Sequence, residues 1–344
     1  MRFGLLYDFR NPTQWRLPFQ ELYARTIEQI VYADQLGYDS IWISEHHFVE
    51  DGYCPSVLAM AAHVAAKTSR VRIGTSVLLL PFHDPLRVAE DANTVDILSG
   101  GRLDLGVGLG YRAEEFAAFG VPRRQRPSRF EENLAILRHA LAGQPFTHAG
   151  RYRRIAEQIT VTPPGVQQHG VPIWGAASSV VAAQRIARER LNLTIRGGRD
   201  VYDAWADGLR AQGEAVGDYQ CVTRRSYFAS DDPDRSWAEL APHVRYQNEA
   251  YEEWGAAGPR ATAAADTEAD RRARSSWMIG TASEVEAMIR AYHERLPFTE
   301  LLTFGVPPGM DPEKMTPAIA RFARELMPRL RDMDPPAPQS GPRS

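Results

Sequence analysis

The stretch VRIGTSVLLLPFHDPLRVAEDANTVDILSGGRLDLGV, residues 71–107, decides the fold. It opens on a β-rich run, Val71 to Leu79, passes through Pro81 and Pro85 into an amphipathic segment, and returns to a β-rich run from Arg102 to Val107. Asp84 suits the N-cap of the intervening helix and Pro85 its first turn, where a proline forfeits no intrahelical hydrogen bond. Strand, helix and strand in succession make the unit of a parallel sheet. Working outward, the same alternation recurs. Strands are expected at Arg2 to Tyr7, Ser40 to Ser44, Val171 to Ala176, Leu193 to Arg196, Gln220 to Phe228 and Glu300 to Gly305, with helices such as Leu22 to Leu36, stopped by Gly37, between them. Eight strand-helix units match an α/β (β/α)8 TIM barrel better than a doubly wound sheet of about six strands. One barrel domain is expected over residues 1–333, with insertions at 143–170 and 255–275 and a flexible tail over 334–344.

Composition narrows the function. With 44% hydrophobic and 24% charged residues, the 344-residue chain can bury a sizeable core. Forty basic against forty-three acidic side chains give a net charge of −3, so no global field draws nucleic acid or an anionic membrane. Cys54 and Cys221 alone cannot build a disulfide scaffold or a cysteine-rich zinc module, and a cytoplasmic setting is expected. The start of the chain is too short in apolar residues for a signal peptide, and no run of about 18 apolar residues occurs. Lys67 and Lys314 are the only lysines, which leaves few groups for Schiff-base or P-loop chemistry.

In such a barrel, chemistry sits where strands end. After the second strand come Glu45, His46 and His47; an imidazole there can act as a base near neutral pH, or one histidine is structural and Glu45 pairs with an arginine. After the fourth, Gly106, Gly108 and Gly110 let backbone approach a planar ligand and Tyr111 offers a ring to stack, although a dinucleotide fingerprint is not met. After the fifth, Ser178 and Ser179 open a helix, either as an N-cap or as a phosphate-binding turn, and Arg196 after the sixth can add charge to the same anion. A metal site is set aside: the first strand has no His-x-His, and a grouping of His46, His47 and His83 is not supported by spacing.

The run Ser44 to Phe48, then Gly74-Thr75-Ser76, Leu80-Pro81, Pro85 to Asp91, Asp96 and Leu98 to Arg102 resembles the bacterial luciferase-like flavin monooxygenases. Gly106 to Tyr111, Glu115-Phe116, Phe119-Gly120 and Ile279-Gly280-Thr281 extend the likeness, which is strong over residues 1–130 and looser over 170–330. The resemblance implies a luciferase-like barrel that receives reduced FMN from a separate flavin reductase and uses O2 to oxidise a small organic substrate, of the kind found in secondary metabolism. It implies His46 as the proton-handling group with Glu45 beside it at the flavin, and a cis bond between Ser76 and Val77 under the ring. It further implies Tyr111 and Gly108 in the flavin-contacting loop, Ser178 and Ser179 at the phosphate, and a mobile lid over residues 255–275. The luciferase reactive cysteine falls at Gly108 and its phosphate-contacting arginine at Leu109, so Arg196 is the replacement expected for that charge. A homodimer is the expected assembly. The alternatives on the same barrel are a deazaflavin-dependent hydride-transfer enzyme and a non-catalytic subunit.

Overall fold

In the computed structural model, which describes residues 1–255, 267, 272, 275 and 277–333, eight strands close into a parallel barrel. They are β1 (Arg2–Tyr7), β2 (Ser40–Ile43), β3 (Arg72–Thr75), β5 (Leu103–Gly108), β8 (Ile173–Ala177), β9 (Asn192–Ile195), β10 (Cys221–Arg224) and β13 (Glu300–Phe304). Each pairs in parallel with the next, and β13 returns to β1. Every one of the eight lies within or beside a run expected from sequence.

Two of those runs are broken in ways that alternation cannot show. Val71 to Leu79 is interrupted at a cis Ser76–Val77 bond and resumes as the two-residue β4 (Leu78–Leu79), paired to β5. Gln220 to Phe228 splits after Arg224, and its second half, β11 (Ser226–Ala229), leaves the barrel to pair with β12 (Trp277–Gly280). The expected insertion at 143–170 contains an antiparallel hairpin, β6 (Phe146–Ala149) and β7 (Arg154–Ile159). Asp96 anchors the end of that insertion by accepting from the backbone N–H groups of Val166 at 2.8 Å and Gln167 at 3.2 Å. Most of 255–275 and all of 334–344 lie outside the described residues.

Local chemistry explains the joints. The helix Pro85–Ser99 starts where Asp84 accepts from the Leu86 N–H at 2.9 Å and stops at Gly100, whose φ of 66° suits a residue without Cβ. Phe19–Leu36 ends in the same way at Gly37, φ 92°. Strand residues Leu5, Ile41, Ile73, Leu105, Leu193, Val222 and Leu301 are fully buried, and each such side chain contributes roughly 1.5–3 kcal/mol.

Within the sheet, Trp42 and Trp174 meet edge to face at 5.2 Å. A Cβ on Gly74 would lie 2.3 Å from the Trp42 ring, so only glycine admits it there. The Trp42 indole N–H donates to Glu300 at 2.9 Å, that of Trp174 to Asp104 at 3.2 Å, and Arg72 pairs with Asp104 at 2.6 Å. These polar atoms are satisfied inside the barrel, which leaves the C-terminal rim for ligands.

Candidate active site

An extended chain leaving β2 points successive side chains to opposite sides. Glu45 and His47 therefore share one side and His46 takes the other. The His46 Nδ1 lies 2.8 Å from the Glu115 carboxylate, and its Nε2 lies 3.0 Å from the Tyr111 hydroxyl. A carboxylate accepts, so Nδ1 carries the proton and Nε2 accepts from Tyr111; this tautomer is assigned from the hydrogen-bond network. Glu115 is completely buried on the short helix Ala113–Ala118 and also accepts from the His47 backbone N–H at 2.9 Å. Arg112 fixes the same corner, donating to the His47 carbonyl at 2.7 Å and lying 3.5 Å from Glu115.

Burial holds the His46 imidazole below its ordinary pKa; Glu115 pulls it back up, and Arg112 and Arg196 add to the depression. It is thus a neutral acceptor at neutral pH. The rings of Tyr53, Tyr111 and Trp254 surround it at 4.8, 5.2 and 5.2 Å. An imidazole held by a carboxylate and walled by aromatics can take a proton from a reacting group and keep water away.

Glu45, the neighbour of His46 in the chain, makes its hydrogen bonds to other groups. Its Oε1 accepts from His47 at 2.6 Å and His83 at 2.8 Å, and its Oε2 from the Leu79 N–H at 3.0 Å. Its partners are two histidines rather than an arginine. Burial pushes the Glu45 carboxyl up, but the hydrogen bonds from His47 and His83 outweigh it and leave the group below its ordinary value. Glu45, His47 and His83 carry ligand atoms within 4.8 Å of one another and are the metal-capable grouping among the described residues. His46 stands outside this set.

The other expected residues gather at the same rim. Ser76 and Val77, half-buried, follow β3. Gly108 is buried, and a Cβ there would meet the Val77 side chain at 2.5 Å, so its absent side chain makes room for Val77 rather than for a ligand. Ser178 and Ser179 are exposed at the start of the nine-residue helix Val180–Arg188; Ser179 accepts from the Ala182 N–H at 3.4 Å as its N-cap. Arg196 follows the neighbouring strand, its N–H bonded to the Ala177 carbonyl at 2.9 Å, which sets it beside the serines. Asp8 and Arg10 follow the first strand. Burial raises the Asp8 carboxyl to about 6 against the pull of Arg10, and Arg10 pairs with Asp51 at 2.6 Å.

Glu115 is the residue that sequence reading did not single out for a role. Its signal was present: a carboxylate four residues past Tyr111, one helical turn into the loop that follows the fourth barrel strand. Tyr53 and Trp254 carried none, because their meeting with His46 depends on how the chain packs in three dimensions.

Comparison with known proteins accords with this fold. A sequence model of the family described as luciferase-like monooxygenase matches residues 1–297. An uncharacterized protein of Sinorhizobium fredii is 36% identical over 60% of this chain and 61% of its own. The oxygenase component of a flavin-dependent trigonelline monooxygenase from Acinetobacter baylyi is 26% identical over 96% of both chains. An F420-dependent glucose-6-phosphate dehydrogenase of Amycolatopsis mediterranei is 26% identical over 89% of this chain and 94% of its own. Among solved structures, a monooxygenase of Streptomyces bottropensis superposes with a TM-score of 0.85 over 96% of this chain and 99% of that one, at 23% identity.

Proposed function

The chain belongs to the luciferase-like monooxygenase family, and from that premise we propose that it is the oxygenase of a two-component system. It takes reduced FMN from a separate reductase and uses O2 to oxidise a small organic substrate. The observation that carries this reading is the Tyr111, His46 and Glu115 array, buried among aromatic rings at the barrel mouth.

The residues present fit FMN. Two exposed serines at a helix N-terminus and an arginine without an acid partner among the described residues suit a phosphate, through N–H groups, hydroxyls and charge. The half-buried Ser76–Val77 pair provides a surface for the ring. Bound there, reduced FMN supplies the electrons that activate oxygen.

The chain's own part is proton control and shielding. The His46 Nε2 accepts a proton released by the substrate, and Glu115, against Nδ1, stabilises the resulting imidazolium and fixes its tautomer. The Tyr111 hydroxyl holds Nε2 at the mouth until a substrate group replaces it. Tyr53 and Trp254 limit the water that reaches this atom.

A second reading, hydride transfer with a deazaflavin, is favoured by the F420-dependent relative and uses the same base. Rapid mixing of the protein with reduced FMN in aerated buffer separates the two. A delay of seconds or longer before the absorbance of oxidised FMN returns, compared with FMN alone, supports the oxygenase. No delay, together with anaerobic turnover of reduced deazaflavin, overturns it.

A further inference from the structure

The arginines at the mouth are not all spoken for. Arg10 pairs with Asp51 at 2.6 Å, and Arg112 lies 3.5 Å from Glu115. Among the described residues Arg224, the last residue of β10, has neither an ion pair nor a hydrogen bond to its side chain. It is held by ring faces instead: its guanidinium lies 4.9 Å from the Phe304 ring and 5.9 Å from that of Tyr251.

Tyr251 joins this group to the proton site. Its hydroxyl is 3.2 Å from that of Tyr53, whose ring lies 4.8 Å from His46. Arg196, over the same Tyr251 ring at 5.3 Å, is already assigned to the cofactor phosphate. Asp8 is the acid whose field reaches Arg224, but no ion pair or hydrogen bond joins the two among the described residues. Arg224 is thus the arginine of this group whose guanidinium touches neither an acid nor the proposed cofactor anchor among the described residues. A half-buried guanidinium whose faces are covered by rings presents its edge, a rigid fork of donors matched to a carboxylate. Rings between that edge and the base suit a flat body.

We propose that Arg224 anchors a carboxylate on a planar aromatic substrate, with Tyr251 and Tyr53 forming the wall between that anchor and His46. This rests on the oxygenase reading for the reaction, though not for the binding itself. The test titrates FMN-loaded protein with 2-naphthoate and 2-naphthamide, two probes of one shape that differ in charge. Naphthoate is expected to bind at least about tenfold more tightly, because a charge-assisted bidentate pair replaces a neutral contact. Arg224→Gln should bring the two to parity and Arg224→Lys should restore part of the preference, both with unchanged FMN affinity.

Equal binding of the two probes by the unaltered protein overturns the proposal, a result that needs no variant to fold. A preference that survives in Arg224→Gln overturns it as well. Competition between naphthoate and FMN also overturns it, by giving the guanidinium to the cofactor phosphate. If reduced FMN, titrated without oxygen, fails to bind, the oxygenase reading falls, and the naphthoate preference measured in flavin-free protein still decides the role of Arg224.

Discussion

His46 and His47 are neighbours in the chain and opposites in role. One meets Tyr111 and Glu115; the other, on the opposite side of the chain, meets Glu45. His46→Ala should lower substrate oxidation by roughly 10²–10⁴-fold while FMN affinity stays within about a factor of two, the usual cost of losing a proton-transfer group. Steady-state turnover alongside a fluorescence titration checks both halves, and unchanged turnover would remove the base. Because the imidazole pKa is depressed, its proton leaves at lower pH, so Nε2 is free from there upward and the acid limb of kcat/KM should lie below pH 6.5. Glu115 raises that pKa, so Glu115→Gln should move the limb further down as well as slow the reaction. A limb that stays in place, or moves up, counts against the pairing. The histidine was legible as a candidate from its neighbours alone. Its carboxylate partner was not, since Glu115 lies 69 residues away and is brought in by the closing of the barrel.

At the scale of elements, strand-helix alternation and turn chemistry located the barrel strands and the helix ends at Gly37 and Gly100. What they could not locate was any break inside a continuous β-rich run. Val71 to Leu79 reads as one strand because most of it is β-branched or aliphatic; the resemblance implied the cis Ser76–Val77 bond that the structure contains, but the resumption as β4 is visible only once it pairs with β5. Gln220 to Phe228 divides for a similar reason: its second half finds a partner, β12, that no local pattern announces. Two predictions belong to this scale. Ser179→Ala removes both the N-cap of the helix Val180–Arg188 and a proposed phosphate hydroxyl, so the FMN dissociation constant should rise several-fold while helix stability drops by about 1 kcal/mol; equal dissociation constants would take the phosphate elsewhere. Gly74→Ala forces a methyl against the Trp42 ring, and chemical denaturation should register a loss of about 1–3 kcal/mol.

For the whole molecule, the pairs that cross between βα loops couple stability to pH. His83 follows β4 and Glu45 follows β2, and their 2.8 Å contact ties two loops of the rim together. Burial works against the charged imidazole, yet the Glu45 hydrogen bond and charge raise the His83 pKa above 6.5. A raised pKa means that this contribution is fully present below pH 6.5 and is lost as pH rises through the folded-state value. Thermal melts across that window should fall more steeply with pH for the unaltered protein than for His83→Ala; parallel curves would show that the pair does not matter to folding.

Taken by itself, the sequence determined the class of fold, the order of its strands and the end of the barrel where chemistry collects. These follow from period, turn residues and capping, which act over a few neighbouring positions. The motifs also placed His46, Tyr111, Ser178, Ser179 and Arg196 on one rim, because residues after parallel strands share an end. Only the tertiary structure decided which of those side chains touch. Barrel closure brings Glu115 to His46, turns Glu45 to His47 and His83, and leaves Arg224 between Phe304 and Tyr251 with no ion pair among the described residues. Contacts of this kind join residues far apart in the chain, and their hydrogen-bond directions and burial depend on packing that no short window of sequence records.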